Sequence, residues 1–304
     1  MGSFLNDGVD DVLCGCLTVG FAGSFLAIYV VILFVLKFKR DKFSAPIYKQ
    51  MFNLGITDCI QLSMHFIGGI CTLAQYDMPS NVNKILGGLA SGAWFAWNIF
   101  SFSIALNRFI AFCYDKYYDV FYSKRILQGQ LITGWVVMTL ILAVYLTPYC
   151  SMLYYRYNFS WRYDPTVSGE VIIANVEFVY VTTLLSISGI GYLCIAIKII
   201  SMRGKTIGGK RHEMRVLIQA AYVYFYTILT RLHWQFYYKY MPDNRYSAFS
   251  CNFVWLLNSG MTPMICLGIN KTIQTAFLQF LHLSTSKSPI VAPVLHTGSS
   301  RLLN

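Results

Sequence analysis

The chain has 304 residues, of which 56% are apolar, 16% aromatic and only 12% charged. This composition excludes an ordinary soluble domain and predicts that lipid is the main solvent of the chain. The net charge of +11 does not indicate nucleic-acid binding, because the basic residues form short clusters between apolar runs instead of one basic face.

The first eleven residues carry three Asp and neither Lys nor Arg. A cleavable signal peptide begins with a basic region, so this segment does not have the pattern of one. We therefore expect residues 1–11 to form a short extracellular segment and the first apolar helix to stay in the protein.

Seven apolar segments are long enough to cross a bilayer, which takes about 20 residues of helix. They lie at 12–36, 46–70, 84–107, 127–150, 171–199, 215–238 and 249–269. The sequence therefore predicts an all-α membrane protein, a seven-transmembrane helix bundle over residues 12–270. The sixth segment contains Arg231, His233 and Gln235, so a bundle of six spans remains the alternative.

The basic residues predict the orientation, because cytoplasmic segments retain the positive excess. Of the 24 Lys and Arg residues, 18 fall in one set of alternating connections and 6 in the other. The basic set comprises 37–49, 108–125, 198–215 and 271–304. This places the N-terminus outside in a multi-pass protein of the plasma membrane. The sequon Asn158-Phe159-Ser160 then lies in the second outer loop, where Asn158 is a candidate glycosylation site.

Two further segments follow the seventh span. Ile273, Phe277, Phe280 and Leu281 recur at helical spacing, which predicts a short amphipathic helix over 271–282 on the inner membrane surface. The remaining residues, 283–304, show no periodicity, and we expect a disordered cytoplasmic tail.

Ionisable residues inside a span are costly, so each is a candidate functional residue. Glu177 and Arg231 lie at matching depths, about 10 Å below the outer boundary at 1.5 Å per residue, so neighbouring helices would let them pair. Such a pair could orient a polar ligand or simply hold two helices together. With Trp94 and His233, and with His65 as a further member, they form the expected ligand-binding set.

The third span carries a stripe of small and polar residues at 100° per residue. Its members are Gly87, Ser91, Trp94, Asn98, Ser101, Ala105 and Arg108, whereas Leu89, Phe95, Ile99, Phe102 and Leu106 lie away from it. We expect the stripe to face the bundle and the bulky residues to face lipid. Helix packing alone explains the small residues, but it does not explain why Trp94 and Asn98 lie on the same stripe.

Several motifs resemble those of rhodopsin-like G-protein-coupled receptors. Asn53-Leu54-Gly55-Ile56-Thr57-Asp58 is similar to their Asn-Leu-Ala-x-x-Asp signature, Asn107-Arg108-Phe109 is similar in place to Asp-Arg-Tyr, and Trp135 matches in the fourth span. Two further segments resemble those of the nematode serpentine chemoreceptors, most of all class T of the serpentine gamma superfamily. These segments are the end of the third span and the seventh-span sequence Asn258-Ser259-Gly260 with Pro263. The resemblance covers roughly residues 12–282.

The resemblance implies a chemosensory receptor that binds a small molecule, couples to a heterotrimeric G protein and needs no cofactor. It implies a place in the plasma membrane, with a sensory cilium as one location. It assigns activation and coupling to Asp58, Asn107, Arg108, Asn258 and Pro263, with a sodium ion at Asp58 as a possible ligand.

The chain also departs from the resembled pattern. Asn107 replaces the usual acidic neighbour of the arginine, the fifth and sixth spans contain no proline, and Pro263 is not part of an NPxxY sequence. Asn83 and Lys84 stand at the outer end of the third span, where the usual cysteine would form a disulfide with the second outer loop. Cys71 with Cys150 is the substitute pairing, and it is not favoured.

An enzyme is not expected, because the sequence has no HExxH, no GxSxG and no paired carboxylates. The seventh span has no lysine for a retinal Schiff base, which excludes a light-driven pump. The alternative function is a transporter or ligand-gated channel that uses the same buried charges, although no internal repeat supports it.

Overall fold

Among the described residues, seven long helices and one short C-terminal helix make up the bundle, and a one-turn helix, Tyr118–Phe121, lies in the connection after the third long helix. The computed structural model describes residues 2–39, 41–201 and 211–281. The helices are α1 (Gly2–Phe38), α2 (Pro46–Leu73), α3 (Ser80–Cys113), α4 (Lys124–Leu146), α5 (Glu170–Ser201), α6 (Arg211–Tyr240), α7 (Arg245–Ile269) and α8 (Lys271–Phe280). The seven predicted spans each fall on one of the helices α1 to α7, so the predicted helical bundle is confirmed.

Most of the helices extend beyond the predicted spans, and the differences at α1 and α4 bear on the predicted organisation. The helix α1 already begins at Gly2, so most of the expected extracellular segment 1–11 is helical. The helix α4 ends at Leu146, before Thr147 and Pro148, whereas the predicted span continued to residue 150. Proline disfavours helical conformation in the residue before it, which accounts for the earlier end.

Six of the described helices are long and apolar enough to cross a membrane by composition alone. The helix α6 is not among them, because Arg231, His233 and Gln235 lower its hydropathy. Its 30 residues nevertheless suffice to cross a bilayer, since about 20 are needed. The sixth span was the weakest of the predicted seven for this same reason.

The helix α3 lies at the centre of the bundle. It packs against α2, α4 and α5, so its residues are buried on almost every side. The expectation that Phe95 faces lipid is wrong: the side chain is 2% exposed and its ring stacks on Tyr180 of α5, with centroids 5.0 Å apart. Because α3 has neighbours on three sides, bulky residues such as Phe95 can also face another helix, so the stripe pattern alone does not separate bundle from lipid.

Two of the resembled motif residues join neighbouring helices. Trp135 Nε1 in α4 donates a hydrogen bond to Asn53 Oδ1 in α2 at 2.8 Å.

The helices α4 and α5 expose most of their apolar surface. Apolar side chains that point outward from a bundle form the surface that lipid covers.

The short helix α8 is amphipathic, as predicted for residues 271–282. The Asn270 side chain caps its start by accepting from the backbone N–H groups of Thr272 and Ile273. Ile273 is fully buried, whereas Phe280 is 42% exposed. The predicted disordered tail over 283–304 lies outside the described residues.

We call the end of the bundle that carries the connection between α4 and α5 its outer end, after the predicted orientation, and the opposite end its inner end. This connection folds into a β-hairpin that the sequence analysis did not predict. Strands β1 (Met152–Tyr155) and β2 (Ser160–Tyr163) pair antiparallel, with Met152 opposite Tyr163. The candidate glycosylation site Asn158 lies in the turn between them, next to Phe159, which has a positive φ of 53°. Phe159 and Ser160 are both buried, so the hairpin is part of the core.

The hairpin lies in the outer mouth of the helix bundle. Tyr154 is buried, and burial raises the pKa of its phenol, which keeps the hydroxyl protonated and 2.7 Å from Thr72 Oγ1. Gly87 of α3 contacts the backbone of Met152 so closely that a Cβ there would collide with the carbonyl oxygen. The hairpin therefore covers the space between the helices from outside.

Candidate functional site

A buried ion pair joins α5 to α6 in the outer half of the bundle. Arg231 Nη1 donates to Glu177 Oε1 at 2.9 Å, and their side chains are 9% and 7% exposed. Trp94 Nε1 of α3 donates to the same oxygen at 3.1 Å. The Arg231 guanidinium also lies over the Phe178 ring, 5.4 Å from its centroid. One carboxylate oxygen thus holds together groups from three helices.

These residues line a cavity that we call the tryptophan cavity, after Trp94, Trp234 and Trp255. The cavity volume is about 30 Å³, which is room for a few water molecules or for a very small ligand group. Its other lining residues are Ser91, Met152, Glu177, Thr230 and Arg231. The lining is almost wholly apolar, because Glu177 and Arg231 turn their polar atoms toward each other. Such a cavity suits an uncharged and mostly apolar molecule.

The two histidines of the expected set do not line the tryptophan cavity. His65 of α2 is 1% exposed and packs edge-on against Trp255, with ring centroids 4.9 Å apart. His233 of α6 lies 2.9 Å from Ser250 Oγ of α7 and also contacts the Tyr240 hydroxyl. Residues two apart on a helix point in different directions, so His233 and Arg231 cannot share one face.

Met152, Trp234 and Trp255 were missed by the sequence analysis. Trp234 lies three residues after Arg231, so helical spacing could have placed it on the same face. The Trp255 indole N–H donates a hydrogen bond to Gln61 Oε1 of α2 at 2.7 Å, and this bond fixes the ring in the cavity wall. Met152 belongs to the hairpin, and no sequence pattern indicated that the loop would reach this depth.

Asp58 is fully buried in α2 at the middle of the bundle. Tyr29 of α1 donates a hydrogen bond to its Oδ2 at 2.7 Å, and Oδ1 has no partner among the described residues. Trp97 and Ser259 lie next to the carboxylate. Asn258 instead accepts from Thr227 of α6 at 3.1 Å. Asp58 thus hydrogen-bonds to α1 and faces α3 and α7 at Trp97 and Ser259.

Asn107 and Arg108 lie buried at the inner end of α3. Asn107 Nδ2 donates to the Tyr118 hydroxyl at 3.2 Å, and Arg108 is 6% exposed. The guanidinium is close to the phenols of Tyr48 and Tyr192. In this conformation Arg108 is enclosed by the bundle and does not reach the inner surface.

Pro263 is buried within α7, where it interrupts the helical hydrogen bonding without ending the helix. At the inner ends of α3 and α5, Lys198 Nζ donates a hydrogen bond to the Cys113 carbonyl oxygen at 3.2 Å. Of the basic segment 198–215, residues 202–210 lie outside the described residues.

Comparison with known proteins gives one family. The family model described as serpentine type 7TM GPCR chemoreceptor Srt matches residues 3–289, nearly the whole chain. No curated protein matches the chain significantly. The match covers all seven long helices, the outer hairpin and the short helix α8.

Proposed function

The chain belongs to the Srt family of serpentine seven-transmembrane chemoreceptors, and on that premise we propose that it binds a small molecule in the tryptophan cavity and signals to a heterotrimeric G protein. The family is a family of receptors, and the chain is accordingly a multi-pass membrane receptor. The ligand, the coupling and the outward N-terminus belong to the proposal.

The observation that carries the proposal is the tryptophan cavity itself. Three indole rings and Met152 supply apolar walls, and Thr230 supplies a hydroxyl group. Glu177 already accepts from Arg231 and Trp94, so a cationic ligand would compete with two existing donors. We therefore expect an uncharged, mostly apolar ligand with at most one or two polar atoms.

In this proposal, Arg108 is the residue through which the receptor couples to its G protein. The guanidinium is buried beside Tyr192 of α5, so a G protein reaches it only when the inner ends of α3 and α5 separate. The ion pair between Glu177 and Arg231 joins α5 to α6 at the cavity. A ligand that changes the spacing at this pair would move α5 relative to α3 and favour the open inner face.

A sodium ion at Asp58 is part of the same proposal. The Oδ1 of the carboxylate has no other hydrogen-bond partner among the described residues, and the Ser259 hydroxyl lies beside the carboxylate, so both are oxygen atoms of the kind that a hard cation binds. A single carboxylate suits a monovalent ion better than a divalent one. Bound sodium would neutralise Asp58 and offset the cost of burying it.

The function can be tested in cells that express the full chain with a promiscuous G protein and a calcium reporter. A set of small uncharged volatiles should include one that evokes a response, and Ser91→Leu, which fills the cavity, should abolish that response. Thr139→Leu is the matched control, since Thr139 of α4 is exposed on the outer surface of the bundle. A response unchanged by Ser91→Leu would overturn the site, and a ligand-evoked current without G protein would favour the channel alternative.

A further inference from the structure

Three lysines are gathered at the inner end of α1, and we call Lys37, Lys39 and Lys42 the lysine cluster. Lys37 lies in the last turn of the helix. Lys39 and Lys42 belong to the turn that follows, where the Lys42 N–H donates to the Lys39 carbonyl oxygen at 3.0 Å. Lys37 and Lys42 are exposed. The stretch 37–49 contains five basic residues and one acidic residue, Asp41, so its positive charge is largely unbalanced.

The ammonium group of Lys39 joins the lysine cluster to α8. Its Nζ donates to the Ala276 carbonyl oxygen at 3.3 Å and to Gln279 Oε1 at 3.4 Å. A cation is favourable there, because the last carbonyl groups of a helix carry partial negative charge. Burial and the nearby charge of Lys42 lower the pKa of the Lys39 ammonium, so the two cations lie close enough to repel each other. An anion in contact with both would offset this repulsion.

Exposed aromatic rings adjoin the lysine cluster along α1. Phe34 and Phe38 stack on each other, with ring centroids 5.8 Å apart and planes 6° from parallel, and they are 46% and 68% exposed. Lys37 follows Phe34 by three residues, so their side chains point to the same side of the helix. Exposed apolar side chains of a membrane-spanning helix face lipid tails. The rings therefore offer an apolar wall that leads to the lysines at the end of the helix.

Two features distinguish the lysine cluster from lysines that merely extend toward headgroups at the end of a span. Lys39 is held in place by its two hydrogen bonds to α8. Phe280, the residue after Gln279, is 42% exposed, so apolar surface lies on the α8 side as well as along α1. A fixed cation between two apolar surfaces matches the build of an acidic phospholipid, in which a charged phosphate adjoins the acyl chains.

We propose that the lysine cluster, the rings of Phe34 and Phe38 and the end of α8 form a binding site for one acidic phospholipid. Its phosphate contacts the ammonium groups of Lys39 and Lys42, and its acyl chains lie along the two rings. The cytoplasmic leaflet of a plasma membrane is rich in acidic lipid, and the predicted orientation turns the inner end of the bundle toward it. The site depends on neither the tryptophan cavity nor a G protein, so its failure leaves the proposed function untouched.

Native mass spectrometry of the full chain, purified in a neutral detergent, counts the lipids bound to it. We expect the first molecule of dioleoylphosphatidylserine to bind several-fold more tightly than dioleoylphosphatidylcholine, which has the same chains and no net charge. Glycerophosphoserine has the charged headgroup without the chains and should not displace the bound lipid. Equal affinity for the two lipids would overturn the acidic site. Displacement by glycerophosphoserine would show a site for a soluble anion and would rule out the lipid.

The double variant Lys37→Ala with Lys42→Ala removes two charges of the lysine cluster and keeps Lys39, which holds α8. Its affinity for phosphatidylserine should fall several-fold. Lys124→Ala with Arg125→Ala is the matched control, because both residues are exposed at the inner end of α4 and the loss of charge is the same. This control should bind the lipid as the unaltered chain does. Equal losses in the two double variants would mean that the whole basic surface attracts acidic lipid, which would refute a defined site.

A further pair of changes tests the apolar wall. Phe34→Ala with Phe38→Ala should weaken phosphatidylserine binding several-fold, because the acyl chains lose the stacked rings. Val136→Ala with Leu140→Ala is the control, since both side chains are exposed on α4 at the same spacing along the helix. The melting temperature without added lipid shows whether each variant is folded. Binding that survives the loss of both rings in a folded variant would contradict the placement of the acyl chains.

Discussion

The side-chain amide of Asn83 holds the backbone of Tyr154 with two hydrogen bonds. Asn83 Nδ2 donates to the Tyr154 carbonyl oxygen at 3.0 Å, and the Tyr154 N–H donates to Asn83 Oδ1 at 2.7 Å. The adjacent Lys84 donates to the Thr147 carbonyl oxygen at 2.6 Å. The resembled receptors usually place a disulfide here, whereas Cys71 and Cys150 of this chain are both free thiols. Hydrogen bonds thus attach the second outer loop to α3.

We predict that Asn83→Ala loosens the hairpin. The change leaves a buried N–H and a buried carbonyl without partners, which costs on the order of 2 kcal/mol or more. Hydrogen exchange of residues 152–163 should speed up, and the melting temperature of the purified receptor should fall. Asn83→Asp keeps the acceptor but turns a carboxylate oxygen toward the Tyr154 carbonyl oxygen, so it should loosen the hairpin as well. Unchanged exchange in Asn83→Ala would contradict the role given to this contact.

Gly87→Ala should displace the hairpin from α3. The new Cβ would collide with the Met152 carbonyl, which is backbone and cannot move without shifting β1. We expect lower thermal stability and weaker closure of the tryptophan cavity, which Met152 helps to line. Gly20→Ala in α1 is the matched control, because nothing lies within 4 Å of its Cβ position. Alanine is better than glycine inside a helix by about 0.5–1 kcal/mol, so the control should be neutral or slightly stabilising.

The helices and the depth of the ion pair were predictable from sequence because both depend on local regularities. Hydropathy gives the spans, and the constant rise of a helix gives the depths of Glu177 and Arg231. Which helices are neighbours is a tertiary property, so pairing could only be offered as one outcome. The structure places the two side chains in contact, and their role in ligand binding stays a prediction.

The hairpin and the burial of Phe95 were not predictable in the same way. The strands are four residues each and depend on packing against α3, which no local pattern specifies. Phe95 was assigned to lipid because bulky apolar residues usually face it, but the central place of α3 reverses that rule. Likewise, the sequence could not show that Asp58 would find Tyr29 while Asn258 pairs with Thr227.

Sodium should stabilise the receptor through Asp58. We expect a higher melting temperature in sodium chloride than in choline chloride, because sodium neutralises a carboxylate that is otherwise buried without a cation. Asp58→Asn should abolish the difference between the two salts. Tyr29→Phe removes the hydrogen bond but keeps the carboxylate, so the sodium effect should persist. A sodium effect that survives Asp58→Asn would place the ion elsewhere.

Arg108→Ala should reduce G-protein signalling while surface expression stays largely intact. The guanidinium is the cation that the proposed opening of α3 and α5 would present to the G protein. Lys116→Ala is the control, since Lys116 is an exposed cation in the same inner connection. Receptor at the cell surface and ligand-evoked calcium should be measured together. Normal signalling in Arg108→Ala would instead mean that the guanidinium has no role in coupling and only packs at the inner end of α3 or contacts lipid phosphates.

The last prediction separates the two roles of the Glu177 and Arg231 pair. Glu177→Arg or Arg231→Glu alone leaves like charges buried side by side, and breaking a buried pair costs about 3–5 kcal/mol. Each single variant should therefore lose surface expression. The double variant restores opposite charges across α5 and α6 and should recover folding, which thermal unfolding of the purified receptor would measure. In the double variant Trp94 Nε1 would face a guanidinium and lose its acceptor, so the cavity wall changes even when the pair is restored. Recovered folding without recovered ligand response would then support a binding role for the pair. Recovery of both would leave it as a contact that only joins two helices, and no recovery of folding would count against the pair.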